Sequence, residues 1–180
     1  IVTQIPVGRL GEGEEIAGTA YSFRTNYGGP GSNYSRGLQS ATASFNSSRW
    51  CFGPGNEVVY KLQAGAIAQT KASVSINVGW YAAGTCLVEA AREPGQWQPV
   101  GQLNGLGTKT LDLPATLFPT PAVFVRLRSP GTAEKSADFA PGSFQVHGLE
   151  YNATLAQDLG RRTGATSFLE SVPALLDRVL

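Results

Sequence analysis

From Glu57 to Tyr151 the chain is a nearly unbroken series of short alternations between apolar and polar residues. No other feature constrains the fold as much. In the stretch 71–81, Val74, Ile76, Val78 and Trp80 share one parity, and Ser73, Ser75, Asn77 and Gly79 share the other. Period-two alternation over a whole strand marks a sheet with one buried and one solvated face. Comparable runs follow at 57–62, 85–92, 97–100, 108–113, 122–128 and 143–151, separated by Gly and Pro. That is the sequence form of an all-β sandwich.

The final run contains a phase slip. Phe144 and Val146 share a face, but Leu149 and Tyr151 need the opposite parity. A one-residue bulge near His147-Gly148 reconciles them, since a bulge shifts the alternation by one. Ala82-Ala83-Gly84 reads as the turn of a hairpin between the strands on either side. An edge strand is expected through Val2 to Val7, and a strand from Ile16 to Phe23. Beyond Asn152 the pattern changes. Phe168, Leu169, Val172, Leu175, Leu176 and Val179 recur at helical spacing, so the tail is expected to be amphipathic helix. The expected organisation is a sandwich domain over 1–155 and a helical tail or linker over 156–180.

Composition limits the function classes. Charged residues make up 15% of the chain, against roughly 25% in an average soluble domain. The net charge is +1 and the basic residues are scattered. Nucleic-acid binding would require a concentrated basic surface, so no nucleic-acid partner is expected. No apolar stretch approaches the ~20 residues of a membrane span. The chain begins at Ile1 and contains no Met. Excision from a longer precursor is therefore expected, and the low charge with abundant Gly suits an extracytoplasmic setting.

Catalytic signatures are missing. The one histidine, His147, has no Gly-x-Ser-x-Gly elbow to accompany it. The Gly-rich segments 28–31 and 53–55 lack the Lys-Ser/Thr of a phosphate loop and read as turns. No run of metal-ligand spacing occurs. A carboxylate pair needs no local motif, and Glu134 with Asp138, or the group Glu12, Glu14 and Glu15, would be its candidates. Solvated surface charge explains both groups better, so the chain is expected not to be an enzyme. Cys51 and Cys86 permit one disulfide. The bridge is the expectation carried forward, with two buried free thiols as the alternative.

The order of strands resembles that of the galactose-binding-like jelly-roll domains, the group of many carbohydrate-binding modules and discoidin-like domains. Val58-Val59-Tyr60-Lys61-Leu62 looks like an early core strand of that fold, and Val74–Tyr81 with Cys86–Ala91 like its central hairpin. Gly95-Gln96-Trp97 is similar to its turn-plus-tryptophan, Val123–Leu127 to its penultimate strand, and Phe144-Gln145-Val146 to its closing one. The resemblance implies an antiparallel jelly-roll sandwich that binds glycans through loops or a sheet face. It also implies a structural calcium ion in many members; the residues themselves call for no cofactor.

A sugar site needs an aromatic face for the apolar side of the ring and planar polar groups for its hydroxyls. The loop 25–37 holds Tyr27, Asn33, Tyr34 and Arg36, and Trp97 and Arg126 offer the same chemistry elsewhere. These six are the expected ligand-binding residues. Core packing is the competing role for Trp97, and more strongly for Trp50 and Trp80. The expected function is a non-catalytic carbohydrate-binding module of a secreted or cell-surface multi-domain protein, with a glycan and neighbouring domains as partners. The alternative is a structural or assembly sandwich whose helical tail docks on a partner.

Overall fold

The computed structural model describes residues 10–131 and 142–157. They form twelve strands in two antiparallel sheets that pack face to face as a β-sandwich. The strands are β1 (Glu14–Ala17), β2 (Ala20–Arg24), β3 (Leu38–Ala41), β4 (Ser44–Asn46), β5 (Arg49–Phe52), β6 (Glu57–Gln63), β7 (Gln69–Tyr81), β8 (Cys86–Ala91), β9 (Gln98–Leu103), β10 (Gly107–Asp112), β11 (Ala122–Arg128) and β12 (Phe144–Leu155). The smaller sheet has the order β3-β6-β11-β8-β9. In the larger, β12 pairs along its length with β7, which pairs with β10. Its other edge pairs with β2 over 150–154 and with β5 over 144–146. The expected tail helix and the strand at Val2 to Val7 lie outside the described residues.

The core follows from the alternation. Val74, Ile76 and Val78 of β7, Val123, Val125 and Leu127 of β11, and Val58, Tyr60 and Leu62 of β6 are all buried between the sheets. The phase slip in the last strand is present. Val146 pairs with Val78 and Gly148 with Asn77, so His147 is the extra residue of a bulge. The bulge lets Phe144 and Val146, and then Leu149 and Tyr151, all reach the core. It also lies where the far edge of β12 passes from one hairpin to the other. There Thr25 fills the gap. Its backbone N–H and its hydroxyl both donate to the Leu149 carbonyl, at 2.9 and 3.0 Å, and its Oγ1 accepts from the Leu149 N–H at 2.8 Å.

Three sequence expectations are corrected. β7 and β8 do not form a hairpin: β7 belongs to the larger sheet and β8 to the smaller, so Ala82-Ala83-Gly84 carries the chain across the sandwich. Trp80 does not continue the buried face of Val74, Ile76 and Val78. A register shift places it opposite Gln145, and it is half-exposed. The stretch Ile16 to Phe23 is a two-strand hairpin turning at Gly18, whose φ of 61° suits glycine.

One hydroxyl ties the loop 25–37 to both sheets. The buried Tyr60 hydroxyl accepts from the Trp50 indole N–H at 3.0 Å and donates to the Tyr34 carbonyl at 2.8 Å. The Tyr27 hydroxyl lies 3.3 Å away. Tyr60→Phe keeps the ring but leaves a buried indole N–H and a carbonyl without partners. A loss of about 2 kcal/mol is expected, since each orphaned group costs on the order of 1–3 kcal/mol. The readout is a lowered urea midpoint at unchanged slope.

Candidate functional site

The loop expected to bind sugar is largely occupied by its own packing. Tyr27 is 3% exposed and meets Phe45 edge-on, so neither ring face is open to a ligand. Burial pushes its hydroxyl pKa above the ordinary value. Asn33 is buried with both ends of its amide in use. Its Oδ1 accepts from the Asn26 N–H at 2.6 Å, and its Nδ2 donates to the carbonyls of Glu12 and Arg24, each at 3.0 Å. Tyr34 stacks on Phe45 at 4.0 Å between centroids and is half-buried. Arg36 is exposed and pairs with Glu14 at 2.6 Å. Short-range composition announced a binding loop; the same aromatics and amides instead anchor it to Phe45, Trp50 and Tyr60.

Trp97 and Arg126 come together on the outer face of the smaller sheet. The Arg126 guanidinium lies 4.4 Å over the Trp97 ring and is held by Glu89 at 2.8 Å and Glu57 at 3.3 Å. Arg128 reaches the same Glu89 oxygen at 3.3 Å. The register explains the cluster, because Arg126 faces Glu89 on β8, and Arg128 faces Glu57 on β6. One face of Trp97 is thus covered, and the guanidinium is held by two carboxylates.

The outer face of the larger sheet differs. Asp112 pairs with Ser73, Ser73 with Asn152, Asn152 with Ser22, and Ser22 with Glu15. Five polar side chains therefore form one transverse row across β10, β7, β12, β2 and β1, with a carboxylate at each end. Four inter-strand steps make the row about 19 Å long. It is the floor of a groove of about 670 Å³, bordered by Lys71 and Thr154. Asn152 Nδ2 donates to Glu150 at 3.2 Å. The side chains of Glu15, Ser22, Lys71, Ser73 and Asp112 make no hydrogen bond or ion pair among the described residues. Alternation had already set Ser73 on a polar face, but the row itself depends on register between strands far apart in sequence.

The expected disulfide is absent: Cys51 and Cys86 are free and buried. Parity explains why. Cys51 lies between Trp50 and Phe52, which enter the core, so its own side chain turns to the outer side of β5 opposite Gln145. Cys86 belongs to the other sheet and faces the interior. Burial pushes the Cys86 thiol up to about 12; burial also raises Cys51, with Arg49 opposing.

The calcium implied by the resemblance finds no ligand set among the described residues, where no group of three or more His, Cys, Asp or Glu converges. The Glu14 carboxylate is taken by the Gly11 N–H, the Tyr21 hydroxyl and Arg36. The nearby carbonyls of Glu12 and Arg24 are taken by the Asn33 amide. No helix among the described residues is long and apolar enough to cross a membrane.

No family model matches the sequence, and no curated protein matches it. Solved structures to which the chain is similar include CBM35 from Cellvibrio japonicus Abf62, at 13% identity and a TM-score of 0.44, covering 72% of this chain and 91% of that one. Another is the CBM36-1 domain of a multidomain xylanase from the hindgut metagenome of Trinervitermes trinervoides, at 11% identity and a TM-score of 0.43, covering 76% and 98%. A third is a variant of CBM29-2, a family 29 carbohydrate-binding module, at 15% identity and a TM-score of 0.40, covering 76% and 89%. At these values the functional argument rests on the groove itself.

Two outcomes follow from the packing. Tyr27→Ala should destabilise the fold by about 3 kcal/mol, as for other buried aromatics cut to alanine, and so lower the melting temperature. Unreduced protein should yield two titratable thiols once denatured, with Cys86 unreactive while the fold is intact.

Proposed function

We propose that this chain is a carbohydrate-binding module that takes a glycan along the groove on the outer face of the larger sheet. The supporting observation is the transverse row Asp112-Ser73-Asn152-Ser22-Glu15, whose hydrogen-bonding capacity is almost wholly unspent. Hydroxyls, an amide and carboxylates at strand spacing offer a sugar chain alternating donors and acceptors on a rigid floor. No aromatic ring stacks along this row, so affinity comes from hydrogen bonds worth about 0.5–1.5 kcal/mol each. Binding is correspondingly weak, in the micromolar-to-millimolar range.

A non-catalytic role accords with the surroundings of His147, whose side-chain partner is Gln145, at 3.3 Å, rather than a nucleophile or an acid. We further propose that the module serves a secreted or cell-surface multi-domain protein. Of the residues first expected to bind, Trp97 with Arg126, on the outer face of the smaller sheet, supplies the second candidate surface.

The test is binding to a panel of soluble polysaccharides by affinity electrophoresis and calorimetry. On a polysaccharide that binds the parent, Asn152→Ala and Ser73→Ala should each weaken binding about three- to tenfold, one hydrogen bond's worth. Ser73→Arg, which fills the floor, should abolish it. All three should keep the parent melting temperature within a few degrees. Unchanged binding in all three, with a loss in Trp97→Ala, would move the site to the smaller sheet.

A further inference from the structure

Among the described residues, arginine is nearly always spoken for. Arg24 pairs with Glu150, Arg36 with Glu14, Arg126 and Arg128 with Glu89, and Arg92 donates to the carbonyls of Thr116 and Leu117. Arg49, at the start of β5, is the exception among the described residues. Its side chain makes no ion pair or hydrogen bond there, and the Nε–H is buried without an acceptor. A buried, unpaired donor on a cation is costly, so a site that keeps one is built for something that supplies the acceptor.

Its neighbours indicate what that is. Trp50 enters the core, so Arg49 and Cys51 turn to the outer side of the larger sheet, at the end of β12 away from the transverse row. The register places Cys51 opposite Gln145, and Gln145 opposite Trp80. His147 Nε2 lies 3.3 Å from Gln145 Oε1. The His147 ring lies across Gly79, where a Cβ would come within 2.6 Å of two ring carbons, so this conformation depends on glycine. Trp80 is half-exposed beside it. Burial, and then the charge of Arg49, hold His147 below the usual histidine pKa. A neutral imidazole and a lone guanidinium therefore share this corner.

We infer that the corner is an oxyanion subsite, binding the carboxylate or sulfate ester of an acidic sugar on Arg49 with the sugar ring against Trp80. The inference rests on the glycan-binding reading for the identity of the ligand, but not on the groove. A planar guanidinium matches a carboxylate or sulfate through paired N–H donors, and an indole face suits the apolar side of a sugar ring. A neutral sugar would leave Arg49 without the counter-charge that the fold omits.

The experiment is a titration of isotope-labelled protein, followed by NMR, with glucuronic acid, glucose 6-sulfate and glucose. The Arg49 Nε–H and Trp80 indole signals should shift saturably with at least one anion, at least tenfold more tightly than with glucose; the tighter anion identifies the source of the charge. The His147 titration midpoint should rise when the site is filled, because a nearby negative charge favours the imidazolium. Arg49→Gln should lose tenfold or more for the anion, and Arg49→Lys should keep part of the affinity. Ser73→Arg should leave anion binding intact, so failure of the groove and failure of this subsite give different results. Equal binding of glucose and both anions, unchanged anion affinity in a folded Arg49→Gln variant, or shifts that spare Trp80 would overturn the inference.

Discussion

Every strand of the larger sheet is registered, directly or at one remove, against β12. β7 pairs along one of its edges, while β2 and β5 divide the other between them. β10, β1 and β4 are then placed through those partners. A single strand that serves two hairpins on one edge must change phase between them, and the bulge at His147 does this. Without the extra residue, either Phe144 and Val146 or Leu149 and Tyr151 would turn to solvent, because a one-residue slip reverses every side chain. The same irregularity leaves backbone groups of Leu149 without a regular strand partner, and Thr25 supplies it. Core burial and polar satisfaction are thus achieved at one place by one insertion.

The two outer faces show the consequence of how polar groups are paired. On the smaller sheet, Arg126 and Arg128 converge on Glu89, and Arg126 also covers Trp97. Such a network is self-contained, and a ligand would have to break charge-assisted contacts to enter. On the larger sheet, the row through Ser73 and Asn152 keeps its donors and acceptors directed at solvent. Ligand binding there competes with one protein contact, the exposed Asn152–Glu150 hydrogen bond, so little of the interaction is lost to competition. The loop around Asn33 follows the first pattern, and one glycine outside it allows the close approach that the Asn33 amide needs. At Gly13, with φ of 83°, a Cβ would lie 2.3 Å from both the Arg24 carbonyl oxygen and Asn33 Nδ2.

Much of the architecture was legible in the sequence because its cause is local. Alternation gave β6, β7 and β11 their buried faces, and the phase slip in Phe144 to Tyr151 located the bulge. What sequence could not show was partner choice. Ala82-Ala83-Gly84 suits a hairpin turn as well as it suits a crossing between sheets, and only the pairing of β7 with β12 decides between them. Residues 38–52 form three short strands with little alternation, and no strand was expected there. The loop 25–37 shows a related limit. Tyr27 and Asn33 have the chemistry of sugar recognition, but buried edge-to-face rings and buried amide networks use that same chemistry. Composition identifies the groups and not the side to which they turn. The row from Asp112 to Glu15 draws on five strands, and no window of sequence contains it.

Low charge sharpens the reading of whichever charges remain alone. In a chain with 15% charged residues, most ionisable side chains of the sandwich have a partner in the fold. Lys61 lies over the Phe124 ring, Lys109 donates to the Gln102 carbonyl, and among the described residues every arginine other than Arg49 has a partner. Glu15, Lys71 and Asp112 line the groove without partners among the described residues, and the charge of the unpaired Arg49 acts on His147. All four lie on the larger sheet, while Glu12 and Glu93 stand without side-chain partners in loops. Among the strands, the two sheets therefore treat their polar groups differently. The smaller closes its polar groups upon one another and holds the sandwich rigid, and the larger presents its own on the flat array that β12 keeps in register.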